Sequence, residues 1–218
     1  MISPAFGLAL KANATDVLAL ANCYGTWVGI CSNHVITPDG KFSGADGSSR
    51  TISSDADRKL LIALRSLADV IVVDAETARR EQYMLPSSGK ALAIFSRAGN
   101  FSGIPALDGP SHSCSLFSPT APRDFPNQRH VPIRTPENPL QDLLQWAKDE
   151  ALPALLLEAG PTLSKSAFDN QLVSFSALTI SEQNHDLDAL ARSHPFADSA
   201  LLVSVAHSKD ATFTYWNH

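Results

Sequence analysis

Leu155-Leu156-Leu157-Glu158-Ala159-Gly160-Pro161-Thr162-Leu163 is the stretch whose reading decides the fold. Leu155–Leu157 continue an apolar run that reads as a strand buried on both faces, the kind found in parallel sheets. Small residues follow at once, and Pro161 then takes the first position of a helix, where a missing N–H costs nothing. A strand that turns directly into a helix belongs to an alternating α/β chain. Such a bend can offer bare backbone N–H groups and the positive end of a helix to an anion such as a phosphate. Ala159 and Gly160 leave room for that approach. Glu158, at the carboxyl end of the strand, points toward the crevice where open α/β sheets bind ligands. An ordinary strand–helix turn with a solvated glutamate is the other reading of the same residues.

Outward from this bend the alternation continues. Asn138-Pro139 marks a helix start, with Leu140–Glu150 placing Leu140, Leu143, Leu144 and Ala147 inward. Ala154–Leu157 is a strand, Pro161–Asn170 a short helix and Leu172–Ile180 another strand. Ala200–Ala206 and Ala211–Trp216 flank Ser208-Lys209-Asp210 and read as an antiparallel closing hairpin. Toward the N-terminus, Ala91–Phe95 and Val70–Val73 read as buried strands. Ser53 or Ser54 can cap a helix over Asp55–Ala68, whose Leu60, Leu61, Leu64, Leu67 and Ala68 share a face. Trp27–Thr37 is β-rich and ends at the turn Pro38-Asp39-Gly40. Met1–Ala21 reads as an amphipathic helix, making 1–24 an N-terminal helical extension. Residues 98–139 carry eight prolines and are expected to be long irregular loops that can include a short strand. The expectation is one α/β domain over 1–218, with a mostly parallel central sheet, helices on both faces and an antiparallel end.

Composition narrows the function. With 17 basic and 22 acidic side chains among 218 residues the net charge is −5, which argues against a nucleic-acid partner. No apolar run approaches the roughly 18–20 residues that span a bilayer. Three scattered cysteines, Cys23, Cys31 and Cys114, never form a C-x-x-C pair and suggest reduced thiols in a cytoplasm and no zinc site. Nucleotide motifs of the G-x-G-x-x-G and G-x-x-x-x-G-K-[ST] types, the G-x-S-x-G elbow and the zinc-deaminase signature are all missing.

Four further places could carry chemistry. Asp39 is either a proton donor or the aspartate of a turn. Arg65, on the flank of its helix, is either an anion ligand or a surface residue. The run Asp74–Tyr83 follows a buried strand into the crevice or starts a solvated helix. Ser96-Arg97 follows another strand, and the fork of Arg97 suits a nucleotide 2′-phosphate. His34, within the first β-rich segment, reads as a structural residue.

Taken together, these blocks resemble the reductase domain of the bacterial riboflavin-biosynthesis deaminase/reductase family, which has the dihydrofolate-reductase fold. Asn33–Lys41 matches the family's N-x-x-x-S-L-D-G-K block. Ile52–Arg58, Leu64–Asp69 and Ile71–Thr77 match its I-S-x-x-A-D-R, L-R-x-x-A-D and V-x-V-G-A-G-T blocks, and Glu158–Leu163 matches E-G-G-P-T-L. The resemblance covers about residues 25–182 and lacks the deaminase domain, as in the stand-alone reductase branch. It implies that NADPH passes a hydride to C1′ of a ribosylamino-pyrimidine 5′-phosphate, opening the sugar to a ribityl chain. It implies that Ala159, Gly160, Pro161 and Thr162 hold the cofactor pyrophosphate, that Thr77, Glu81 and Ser96 line the dinucleotide, and that Ser49, Arg65 and Glu158 face the substrate. Asp39 or Glu158 is then the acid near the reacting carbon. A homodimer is also implied. The chain departs from the pattern at Ala159, at Pro38, at Val173-Ser174-Phe175 and at Asp74-Ala75-Glu76, where two carboxylates replace glycines beside the expected polyanion. Those departures leave open a catalytically degenerate paralogue acting as a binding or assembly protein, or a reductase of another heterocycle. A reductase of dihydrofolate itself fits the Asp39 and E-A-G-P blocks less well.

Overall fold

The computed structural model describes residues 3–6, 20–21, 25–87, 89–184, 186–190, 194–196 and 200–218. Its strands are β1 (Ser3–Phe6), β2 (Gly29–Ile36), β3 (Val70–Asp74), β4 (Ala91–Phe95), β5 (Cys114–Ser118), β6 (Arg129–Pro132), β7 (Ala154–Leu157), β8 (Val173–Ile180), β9 (Leu201–His207) and β10 (Thr212–Asn217). Its helices are α1 (Asp55–Leu67), α2 (Ala75–Arg80), α3 (Pro139–Asp149), α4 (Pro161–Asp169) and α5 (Leu187–Leu190). The strands form one sheet in the order β1-β9-β10-β8-β2-β7-β3-β4-β5-β6. From β8 to β6 all neighbours are parallel; β10, β9 and β1 add on antiparallel.

The leucine run does what its composition dictates. Strand alternation sends Leu155 and Leu157 to one face and Leu156 to the other. Leu156 packs with Leu60 and Leu64 of α1. Leu155 and Leu157 pack with Leu140, Leu143 and Trp146 of α3 and with Ala167 and Phe168 of α4. Helices therefore cover both faces, and β7 is buried along its whole length. Burial of a single such leucine is worth about 1.5–3 kcal/mol. Helix α1 starts where Ser54 accepts the Asp57 N–H, and Asp55 and Asp57 lie in its first turn.

Two expectations need correction. Ser3–Phe6 is a strand on the open edge of β9, not helix; within 1–24 only Leu20 and Ala21 are described as helical, both buried in the core, and the rest of that segment lies outside the described residues. Edge pairing satisfies backbone groups that no side-chain pattern announces. Residues 98–139 contain two strands, β5 and β6, joined in parallel to β4. Every residue of β5 is buried, and Pro132 closes β6 on the outermost edge, where a missing donor is tolerated.

Candidate active site

Strands β3 and β7 lie side by side in parallel, with Val72 opposite Leu157, and the Glu158 N–H donates to the Val72 carbonyl at 2.9 Å. This register brings the end of β3 and the bend after β7 together at the carboxyl edge of the sheet. Two cavities open there. The larger, about 780 Å³, runs along Asp74–Arg80, the end of β4 at Phe95–Arg97 and the start of α4 at Gly160–Leu163. The smaller, about 100 Å³, is lined by Asn33, His34, Ser49, Glu81, Tyr83 and Glu158, among others. Thr77, Arg80, Gly160 and Pro161 border both, so the bend is the wall the cavities share.

Glu158 anchors the floor of the smaller cavity, with only 4% of its side chain exposed. Arg65 Nε donates to Oε1 at 2.8 Å and Nη2 to Oε2 at 2.5 Å, and the Tyr83 hydroxyl donates to Oε2 at 2.6 Å. The guanidinium lies 5.1 Å from the centre of the Tyr83 ring. Burial opposes the Arg65 charge, but the Glu158 carboxylate and the Tyr83 hydroxyl outweigh it and hold the guanidinium protonated. Burial, reinforced by Glu158, pushes the Tyr83 hydroxyl up. His34 Nε2 pairs with the Ala159 carbonyl at 3.1 Å and Ser164 Oγ at 2.9 Å, and burial lowers its pKa to about 4. The imidazole thus stays neutral and pins the bend to α4.

The bend itself is not bare. The Gly160 N–H donates to Asp74 Oδ2 at 2.6 Å. The same carboxylate caps α2, accepting from the Thr77 N–H and the Thr77 hydroxyl, both at 2.9 Å. Gly160 is required here, since a Cβ would lie 2.7 Å from Thr77 Oγ1. The expected open diphosphate cradle is therefore corrected: a side chain takes one of its amides. Ala159, by contrast, is 2% exposed and packs with Leu157 and Leu163; it borders the smaller cavity and not the larger one. Glu76 lines the larger cavity but is 76% exposed and pairs with Arg79 at 3.1 Å.

Other expected residues divide between the cavities. Thr77, Ser96, Arg97, Gly160, Pro161 and Thr162 border the larger one. Glu81 does not; at the C-terminal end of α2, it borders the smaller one and accepts the Ser49 N–H at 2.8 Å. Ser49 and Glu158 meet in the smaller cavity, with Arg65 behind Glu158. Asp39 borders neither: its side chain is 60% exposed, ion-paired with Lys41 at 2.6 Å, and bonds from Lys41 and Thr37 hold its carboxyl below the usual range. Sequence reasoning named Tyr83 only as the end of the Asp74–Tyr83 run, with no link to Glu158, and gave His34 no place at the bend. Both reach the site only through contacts 75 or more residues apart in the chain.

Among the described residues no helix is long and apolar enough to cross a membrane, and no cluster of three His, Cys, Asp or Glu side chains could hold a metal ion. No family model and no curated protein matches the sequence. Solved structures do. A pyrimidine reductase-like protein from Corynebacterium diphtheriae superposes with a TM-score of 0.73 at 20% identity, over 93% of this chain and 98% of that one. The diaminohydroxyphosphoribosylaminopyrimidine deaminase/5-amino-6-(5-phosphoribosylamino)uracil reductase of Thermotoga maritima gives 0.68 at 15%, over 92% of this chain and 59% of that one. The riboflavin biosynthesis reductase Rib7 of Saccharomyces cerevisiae gives 0.65 at 11%, over 90% and 94%. The chain has the dihydrofolate-reductase-like fold of these reductases.

Proposed function

We propose that the chain is a reductase in which NADPH occupies the larger cavity and a ribosylamino-pyrimidine 5′-phosphate reaches into the smaller one. The observation that carries this reading is the shared wall: a dinucleotide-sized cavity meets a polar one along Thr77, Gly160 and Pro161. NADPH, when bound, supplies the hydride. The chain's own residues hold the partners in line and exclude water between them. Arg79, Arg80 and Arg97 give the larger cavity positive charge, and Thr77 and Ser96 give it hydroxyls. The arginines and hydroxyls suit a dinucleotide; Asp74, Glu76 and Glu137, which also line the cavity, do not, and Asp74 already holds the Gly160 amide.

On the substrate side, Ser49 lines the cavity with a hydroxyl, while the Tyr83 hydroxyl is committed to Glu158. Glu158 is a positioning residue: its oxygens accept from Arg65 and Tyr83 and so fix both. Both Glu158 oxygens are occupied by these donors, and Asp39 borders neither cavity. With neither acid placed to give it, the proton for the sugar oxygen is taken from bulk solvent. The test is NADPH consumption by the purified protein with the ribosylamino-pyrimidine phosphate. Saturable turnover that falls in Glu158→Gln and Arg65→Ala supports the reading; no consumption with both reactants in excess overturns it.

The Asp74 contact favours a second reading, a paralogue that keeps the fold and serves as a binding or assembly protein. No dinucleotide binding at millimolar concentration, in the natural chain or with Asp74 replaced, would select it. A homodimer is proposed as well, and sedimentation showing only monomer would refute it.

A further inference from the structure

Asp74 sits where two helices begin. Its carboxylate accepts from Thr77 at the start of α2, and across the sheet edge it accepts the Gly160 N–H at the start of α4. Two helix N-termini and three donors thus converge on one side-chain anion. The Gly160 contact, at 2.6 Å, has the length of a charge-assisted bond. The space is full as well: a Cβ on Gly160 would lie 3.2 Å from Asp74 Oδ2 and closer still to Thr77 Oγ1. No cation faces Asp74 among the ion pairs of the described residues, so helix ends and donors alone stabilise it there.

We propose that Asp74 is a specificity-determining residue of the larger cavity: it is the chain's own anion at the bend, and it excludes a ligand diphosphate from the Gly160 amide. This inference rests on the reading of that cavity as a dinucleotide site. A phosphate entering the bend would lose the amide donor and meet a carboxylate in a partly dehydrated place, two penalties of the same sign. A dinucleotide bound in this cavity would have to place its diphosphate elsewhere than on the Gly160 amide, and Arg97 lines the same cavity. Among the arginines that line the cavity, Arg97 is the one with no ion pair to another described residue.

The test uses the full chain and two probes, NADPH and inorganic pyrophosphate, titrated against the natural protein, Asp74→Ser and Asp74→Asn. Serine keeps a cap for α2 while it shortens the side chain and removes the charge. Asparagine removes the charge and keeps the bulk, and serves as the readable variant if the serine protein does not fold. The expected result is that Asp74→Ser binds both probes about tenfold to a hundredfold more tightly than the natural chain, the range for one regained hydrogen bond to a charged group. Asp74→Asn should gain less than that. Equal or weaker binding of pyrophosphate by both variants overturns the proposal. A gain for pyrophosphate with no NADPH binding by any protein upholds the role of Asp74 and removes the dinucleotide reading.

Discussion

Two turns leave neighbouring parallel strands at the same edge of the sheet, and each carries an acid that sequence reasoning singled out. After β2, Thr37–Lys41 folds on itself: the Gly40 N–H donates to the Thr37 carbonyl, the Thr37 hydroxyl bonds Asp39, and Lys41 pairs with Asp39 in solvent. After β7, Glu158–Thr162 is held from afar, by Arg65 across 93 residues, Tyr83 across 75 and Asp74 across 86. The first turn is held by contacts within five residues of the chain; the second is held by contacts that only the assembled sheet provides. An acid's chemistry is therefore set by which partners the topology brings to it, and two carboxylates that look alike in sequence are not alike in the protein.

The largest expected effect is on the assembled turn. Arg65→Ala leaves Glu158 buried without its partner, a change that costs about 3–5 kcal/mol. At this chain length it should lower the melting temperature by roughly 6–20 °C. Replacing both partners, as Arg65→Met with Glu158→Leu, should restore part of the loss, and a double mutant no more stable than Arg65→Ala would show that the pair is not coupled.

Next comes acid sensitivity. Burial depresses the pKa of His34 to about 4 and of His194 to about 3, so the unfolded chain takes up these protons first. Their contribution is complete above the ordinary histidine pKa of about 6.5 and is lost as the pH falls through the folded values. For His34 the loss is at most about 3 kcal/mol. Denaturant unfolding of His34→Asn should show a flatter pH profile than the natural chain between those limits; parallel profiles would contradict the assignment.

Tyr83→Phe removes one hydroxyl from a charged acceptor and should cost about 1–2 kcal/mol by denaturant unfolding, with the fold retained. Asp39→Asn should leave the melting temperature and any turnover unchanged. A large loss of turnover there would mean that the exposed turn closes over the substrate.

What could be read from sequence follows the same division. The Leu155–Leu157 strand, the Ser54 cap, the Pro161 helix start and the closing hairpin are local or periodic features, and the structure has them where their patterns lie. The Pro161-Thr162 and Ser96-Arg97 edges of the larger cavity were legible too, because they follow strand ends in a parallel sheet. Asp74 was recognisable as an unusual residue beside the bend, but not as its occupant. That follows from the pairing of β3 with β7, which no spacing within Asp74–Tyr83 encodes. Tyr83 and His34 were hidden for the same reason. Ser3–Phe6 and β6 were missed because they are short strands at the two outer edges of the sheet, and β5 because the prolines on either side of it read as loop.

The most direct test is isotopic: NADPH deuterated at the transferable position is mixed at saturating concentration with the ribosylamino-pyrimidine phosphate and the natural protein, and the product is examined by mass spectrometry and NMR. The account predicts a ribityl product with one deuterium on C1′. Unchanged sugar, with either face of the nicotinamide labelled, would contradict it.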